Sequence, residues 1–78
     1  MPLKALIHAI ASELVDHPEQ VTVNEVGGDN NTVIELRVAK ADIGKVIGKE
    51  GRTAQSMRTL LTALAQKVGR RAHLDIVD

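Results

Sequence analysis

Three of the six glycines in this 78-residue chain, Gly44, Gly48 and Gly51, fall within eight positions and are interleaved with Lys45, Lys49 and Arg52. Glycine lets the backbone take positive φ and lets another backbone come close, because no Cβ stands in the way. A sugar-phosphate chain can lie directly on such a loop. Where a helix begins as the glycines end, its first amides and the positive end of its dipole face the same place, and anions are favoured there. The chemistry suited to this stretch is the non-covalent seating of phosphate beside full cationic charges.

Spacing separates the kinds of phosphate site. A nucleotide P-loop needs four residues between its glycines and then Lys-Ser/Thr, whereas Gly44 and Gly48 enclose three and Lys49 is followed by Glu50. A dinucleotide-binding turn needs G-x-G-x-x-G after a strand, and this loop lacks the first spacing and lies between two apolar helical segments. A plain turn between helices is the third reading, and it leaves the cations unexplained. Glu50 brings a carboxylate into the loop, which weakens the hold on an anion by repulsion. Arg58 lies under two helical turns beyond Arg52 and either extends the cationic track or is solvated.

Nothing else in the chain assembles a reaction. His8, His17 and His73 have no metal-ligand spacing and read as solvent-facing. Ser12 and Ser56 lack a neighbouring base, and Glu13 and Asp16 lie on the polar side of a helix, where no pocket is implied. The absence of cysteine removes disulfides, thiolate metal sites and thiol nucleophiles together. The expectation is a protein that is not an enzyme and holds no metal or cofactor. Phe, Tyr and Trp are also absent, which excludes nucleic-acid readers that stack bases on aromatic rings, such as RRM sheets and most OB-folds.

The formal net charge is zero, but its distribution is not even. Residues 1–36 hold Lys4 against Glu13, Asp16, Glu19, Glu25, Asp29 and Glu35. Residues 37–71 hold nine bases, including Arg37, Lys40, Lys67, Arg70 and Arg71, against Asp42 and Glu50 only. A polyanion would be steered to the middle of the chain, although solvated helix faces produce similar patterns. Arg70 and Arg71 close a helix, where cations are favoured for structural reasons, and Arg37 faces away from the core as a candidate partner contact. With 44% apolar and 26% charged residues the chain is of globular type. At 8.4 kDa it has room for one modest core. No signal-peptide core or long apolar run is present, so a cytoplasmic location is expected.

These residues must be positioned by a small set of elements. Leu3, Ile7, Ile10 and Leu14, with Leu6 and Ala11, repeat at helical spacing behind Pro2, so a helix is predicted over 2–15, ended by Pro18. Val21 and Val23, then Ile34, Leu36 and Val38, alternate on either side of Gly27-Gly28-Asp29-Asn30-Asn31 and predict a β-hairpin. Asp42 is placed to cap a short helix carrying Ile43, Val46 and Ile47 that stops at Gly48. Ala54, Met57, Leu61, Leu64 and Val68 mark a longer helix ending near Gly69, and Ala72, Leu74 and Ile76 a last strand. The order is αββααβ. A three-stranded sheet with one apolar face needs that face covered, and three amphipathic helices are at hand. The expected class is α+β, a two-layer α/β sandwich forming one domain over 1–78.

At this point the residues carry a resemblance. Val46-Ile47-Gly48-Lys49-Glu50-Gly51-Arg52-Thr53-Ala54 resembles the V-I-G-x-x-G-x-x-[IA] signature of KH domains, and αββααβ is similar to the type II KH order. A single KH domain of this length, with G-K-x-G-R-T-A at the loop, resembles the bacterial KhpA-type RNA-binding family. The resemblance implies binding of about four nucleotides of single-stranded RNA in a groove beside the loop, which clamps their backbone. It implies Gly48, Lys49, Glu50 and Gly51 as the loop, Ile47 and Ala54 as its apolar flanks and Arg52 as the first charge of the next helix, with Lys45, Val46, Thr53 and Arg58 completing the RNA-binding set. Ala54 stands where many KH domains carry a larger aliphatic, which implies a wider groove. The family also implies an RNA chaperone or post-transcriptional regulator that works with a larger KhpB-type partner and is linked to cell length and peptidoglycan homeostasis. A homodimer would add avidity. The alternative is a KH fold used as a protein-interaction or ribosome-associated module.

Overall fold

Helix α1 spans Leu3–Leu14 and buries Leu3, Ile7 and Ala11, one residue per turn, against the sheet layer. The computed structural model describes residues 3–28 and 30–77. Pro2 of the expected helix start, Asp29 of the hairpin turn and Asp78 lie outside those residues. Pro18 does not continue α1; it opens a single 3-10 turn, Pro18–Gln20, in keeping with its fixed φ.

Strand β1 (Thr22–Gly27) and strand β2 (Asn31–Arg37) pair antiparallel, in register from Thr22↔Arg37 to Gly27↔Thr32. Glycine is required at the end of β1: Gly27 has φ 119, and a Cβ there would press on the carbonyl oxygen of Asn31. Strand β3 (Arg71–Val77) runs parallel to β2, from Asn31↔Arg71 to Arg37↔Val77, so β2 is central in the order β1-β2-β3. A parallel neighbour demands a long crossover. Helix α2 (Ile43–Ile47), the glycine loop and helix α3 (Arg52–Lys67) supply it.

One face of the sheet is covered by the helices, as the two-layer expectation requires. Val23, Ile34, Leu36, Ala72 and Leu74 point into the core, where they meet Ile7, Val46, Met57, Leu61 and Ala65. Full burial of side chains such as Ile34, Leu36 and Leu61 is worth about 1.5–3 kcal/mol each. The buried stripe of α3 is Ala54, Met57, Leu61 and Ala65. Val68, expected to extend it, is 55% exposed. The helix has already closed in a Schellman motif, with Arg70 N–H on Ala65 O at 2.8 Å, Gly69 N–H on Gln66 O at 3.1 Å and Gly69 at φ 71.

Arg70 has a structural role at this handover. Its guanidinium donates to Thr32 Oγ1 and lies 3.7 Å from the Glu25 carboxylate. Thr32 is buried and itself donates to Gly28 O at 3.1 Å, so the end of β2 is held by a satisfied polar network rather than by apolar packing.

Candidate nucleic-acid interface

The loop takes its shape from two glycines and one strained residue. Gly48 ends α2 at φ 79, ψ 172, and Gly51 precedes α3 at φ 74, ψ 11. Between them Glu50 holds φ 57, the one positive φ of a non-glycine residue among the described residues. A Cβ on Gly48 would fall on Thr53 Oγ1 and within 2.8 Å of the Thr53 backbone nitrogen. The Thr53 side chain therefore occupies the space that glycine leaves, and α2 and α3 meet without a spacer. Gly51 has open space around it, so only its backbone angle calls for glycine.

The cations expected here are not equivalent. Lys45 Nζ pairs with Asp16 at 3.2 Å and Arg52 with Glu50 at 3.3 Å, whereas Lys49 is exposed and makes no ion pair among the described residues. The loop also consumes two of the amides expected to face a ligand: Gly51 N–H bonds Gly48 O at 3.1 Å and Arg52 N–H bonds Lys49 O. What remains for an anion is the positive end of α3, Lys49, and Arg52 once it exchanges Glu50 for phosphate. Val46 is fully enclosed and Ala54 is 3% exposed. Both therefore lie beneath the surface beside the loop. Ile47 is 39% exposed and is the apolar flank that reaches the surface.

One helical turn past the loop a groove opens between α3 and the outer edge of β3. Three adjoining depressions form it. Gln55, Arg58, Thr59, Thr62, Ala63 and Gln66 line the helix side, Ala72, His73 and Leu74 the strand side, and Arg70 and Arg71 the far end. Arg58 lines two of these depressions. Sequence reasoning missed the uncharged wall. Gln55, Thr59, Thr62 and Gln66 recur at spacings of four, three and four, a polar stripe one or two residues behind the buried one. That periodicity was a usable signal, but polar helix positions read by default as solvated.

Two further expectations change. Asp42 stands at the N-cap position of α2, but its side chain makes no cap hydrogen bond. Its Oδ2 instead accepts from the backbone N–H and ring Nδ1 of His17, both at 3.0 Å, because burial at 1% exposure leaves the carboxylate needing a charged partner. His17 is accordingly paired through its ring, although that ring keeps a solvent-exposed side. Its pKa is raised, first by the hydrogen bond to Asp42 and then by that carboxylate's charge. Among the described residues no group of three His, Cys, Asp or Glu could hold a metal ion, and no helix is long and apolar enough to cross a membrane.

Comparison with known proteins places this geometry. The family model described as KhpA/KhpB, KH domain matches residues 4–76. The chain is similar to the RNA-binding protein KhpA of Aquifex aeolicus, 49% identical over 97% of this chain and 96% of that one. It is also similar to the KhpA of Caldanaerobacter subterraneus, 50% identical over 92% and 96% respectively. Among solved structures, Aquifex aeolicus Era bound to GDP and AlF4⁻ and an Era complex with MgGDPNP and a 16S ribosomal RNA segment each match with TM-score 0.61 at 24% identity. They cover 97% of this chain but only 31% and 30% of theirs, and share its type II KH fold. A loop of the form G-x-x-G joining two core-packed helices, a parallel β2–β3 pair and near full-length identity to these relatives converge, and the chain belongs to the KhpA/KhpB family of KH domains.

Proposed function

We propose that residues 1–78 act as one KH domain that binds single-stranded RNA without catalysing a reaction on it. The backbone of about four nucleotides would be clamped at Gly48–Gly51 and the bases laid into the groove between α3 and β3. The observation that carries this reading is the continuity of a cationic loop with a groove walled by uncharged hydrogen-bonding side chains. Gln55 to Gln66 runs about 16 Å along the helix axis. Threonine and glutamine can pair with base edges by hydrogen bonding, which does not require aromatic rings. The relatives named as RNA-binding proteins support the same reading. In the cell we place the chain in the cytoplasm as an RNA chaperone or post-transcriptional regulator, acting with a KhpB-type partner and as a homodimer, with effects on cell length and peptidoglycan homeostasis.

The test is the double substitution Lys49→Asp with Glu50→Asp. Loss of the unpaired cation and gain of a carboxylate should weaken binding to unstructured RNA about tenfold at moderate salt and flatten its salt dependence. Circular dichroism and light scattering should be unchanged. Equal RNA affinity of variant and parent in an anisotropy titration would refute the assignment of the loop.

A further inference from the structure

Helix α2 delivers the chain to the loop, yet it is five residues long and Val46 is its one fully buried side chain. A helix this short has no stability of its own in water, so its position must come from what grips it. Two ion pairs do so from the same place. Asp16 and His17, consecutive in the turn between α1 and β1, bind Lys45 on α2 at 3.2 Å and Asp42 immediately before α2 at 3.0 Å. The Asp42 carboxylate is held entirely through Oδ2, since its buried Oδ1 has no hydrogen-bond partner.

We propose that His17 and Asp42, reinforced by Asp16 and Lys45, are positioning residues for RNA binding: a two-point clasp that holds α2 in place and so sets where Gly48–Gly51 stands. The functional half of this inference rests on the single-stranded RNA reading above; the mechanical half does not. The His17 ring is 46% exposed and open to solvent protons. The groups that face it are Asp42 from the turn before α2 and Asp16 and Glu19 from its own segment, all favouring the imidazolium, with Lys45 of α2 already taken up by Asp16. On Asp42 burial pushes the pKa up, but the His17 ring bond, the backbone N–H groups of Asp16 and His17 and the imidazolium charge outweigh it and hold the carboxyl below its ordinary 3.8.

The signs follow by linkage. The contribution of His17 is complete below the ordinary histidine value of 6.5 and is lost as pH rises through its raised value. That of Asp42 is present above 3.8 and is lost as pH falls through its lowered value. Across neutral pH the clasp therefore loosens upward, through loss of the His17 charge, since a neutral ring can still donate from Nδ1.

The test is an amide NMR titration of the full chain from pH 5.5 to 8.5, with no RNA present. The titration step of His17 should appear at the amides of Ile43–Gly51 and vanish from them in His17→Gln. Asp42→Asn should hold those amides at their high-pH positions throughout. Unstructured RNA is then titrated at fixed ionic strength in a His73→Gln background, so that His17 is judged apart from the histidine that lines the groove. Affinity should fall about threefold across the step, in the range of a solvent-accessible ion pair, and His17→Gln should be flat at the weaker value while still melting well above the assay temperature. Amides of α2 that ignore His17 would overturn the clasp whether or not RNA binds, and a pH-independent affinity beside moving amides would overturn its role in binding. Absence of RNA binding by the His73→Gln parent and the unmodified chain at every pH would refute the RNA reading alone and leave the clasp to be judged by the amides.

Discussion

Three glycines close together in sequence should respond to the same substitution in three different ways, because their surroundings differ. Gly48→Ala is the severe case. At φ 79, ψ 172 its backbone lies in a region that only glycine occupies readily, which costs about 1–3 kcal/mol for another residue. The added Cβ also lands on Thr53 Oγ1 and within 2.6 Å of Thr53 Cβ. Relieving such overpacking costs about 1–3 kcal/mol more. The total is about 4 kcal/mol, which for a domain of this size is a fall in Tm of roughly 16–32 °C. Gly51→Ala meets open space and only the left-handed backbone penalty of about 1 kcal/mol. Gly44→Ala, inside α2 with nothing within 4 Å, should gain about 0.5–1 kcal/mol from helix propensity. Thermal and urea unfolding by circular dichroism measure all three, and adding Thr53→Ala to Gly48→Ala should recover only part of the loss, because it removes the Oγ1 contact and leaves the Cβ and backbone nitrogen of residue 53 in place. If Gly48→Ala proved no less stable than Gly51→Ala, α2 and α3 would not meet as closely as described, and the account of how the loop is shaped would fail.

Leu61→Ala empties the centre of the α3 stripe, where the side chain is fully buried, and should destabilise the chain by about 2–5 kcal/mol, read as a lower urea midpoint at unchanged slope. Arg58→Gln should leave the melting temperature within about 2 °C, as expected for a surface change of small effect. It should nevertheless weaken RNA binding severalfold and reduce the salt slope by about 0.7. An unchanged slope would remove Arg58 from the track.

The elements were legible because each apolar stripe kept one period over its length. Val23, Ile34, Leu36, Ala72 and Leu74 alternate as strand residues with one covered face do, and Ala54, Met57 and Leu61 repeat as helix residues do. Gly48 and Gly51 were legible as turn residues because φ is positive at both. Three things were hidden. The partner of Lys45 depends on which carboxylate the fold brings near, and Asp16 is 29 positions from Lys45. The Asp42–His17 pair was concealed by a local rule: an aspartate before a short helix suggests a cap, but a buried carboxylate beside an imidazole is better satisfied by the ring. The groove was hidden because it belongs to neither α3 nor β3 alone; it exists only once β3 has docked parallel to β2 and left a gap beside Thr62 and His73.

The helices all lie on one side of the sheet, and the opposite side carries Thr22, Asn24, Glu35, Arg37 and Asp75 in rows set by the strand register. None of these side chains supports the interior, and none lines the groove. Substitution at these five positions is therefore expected to leave both the melting temperature and the groove nearly unchanged. They offer a polar, solvent-facing set of positions at which a label or tether can be attached without entering the core or the groove.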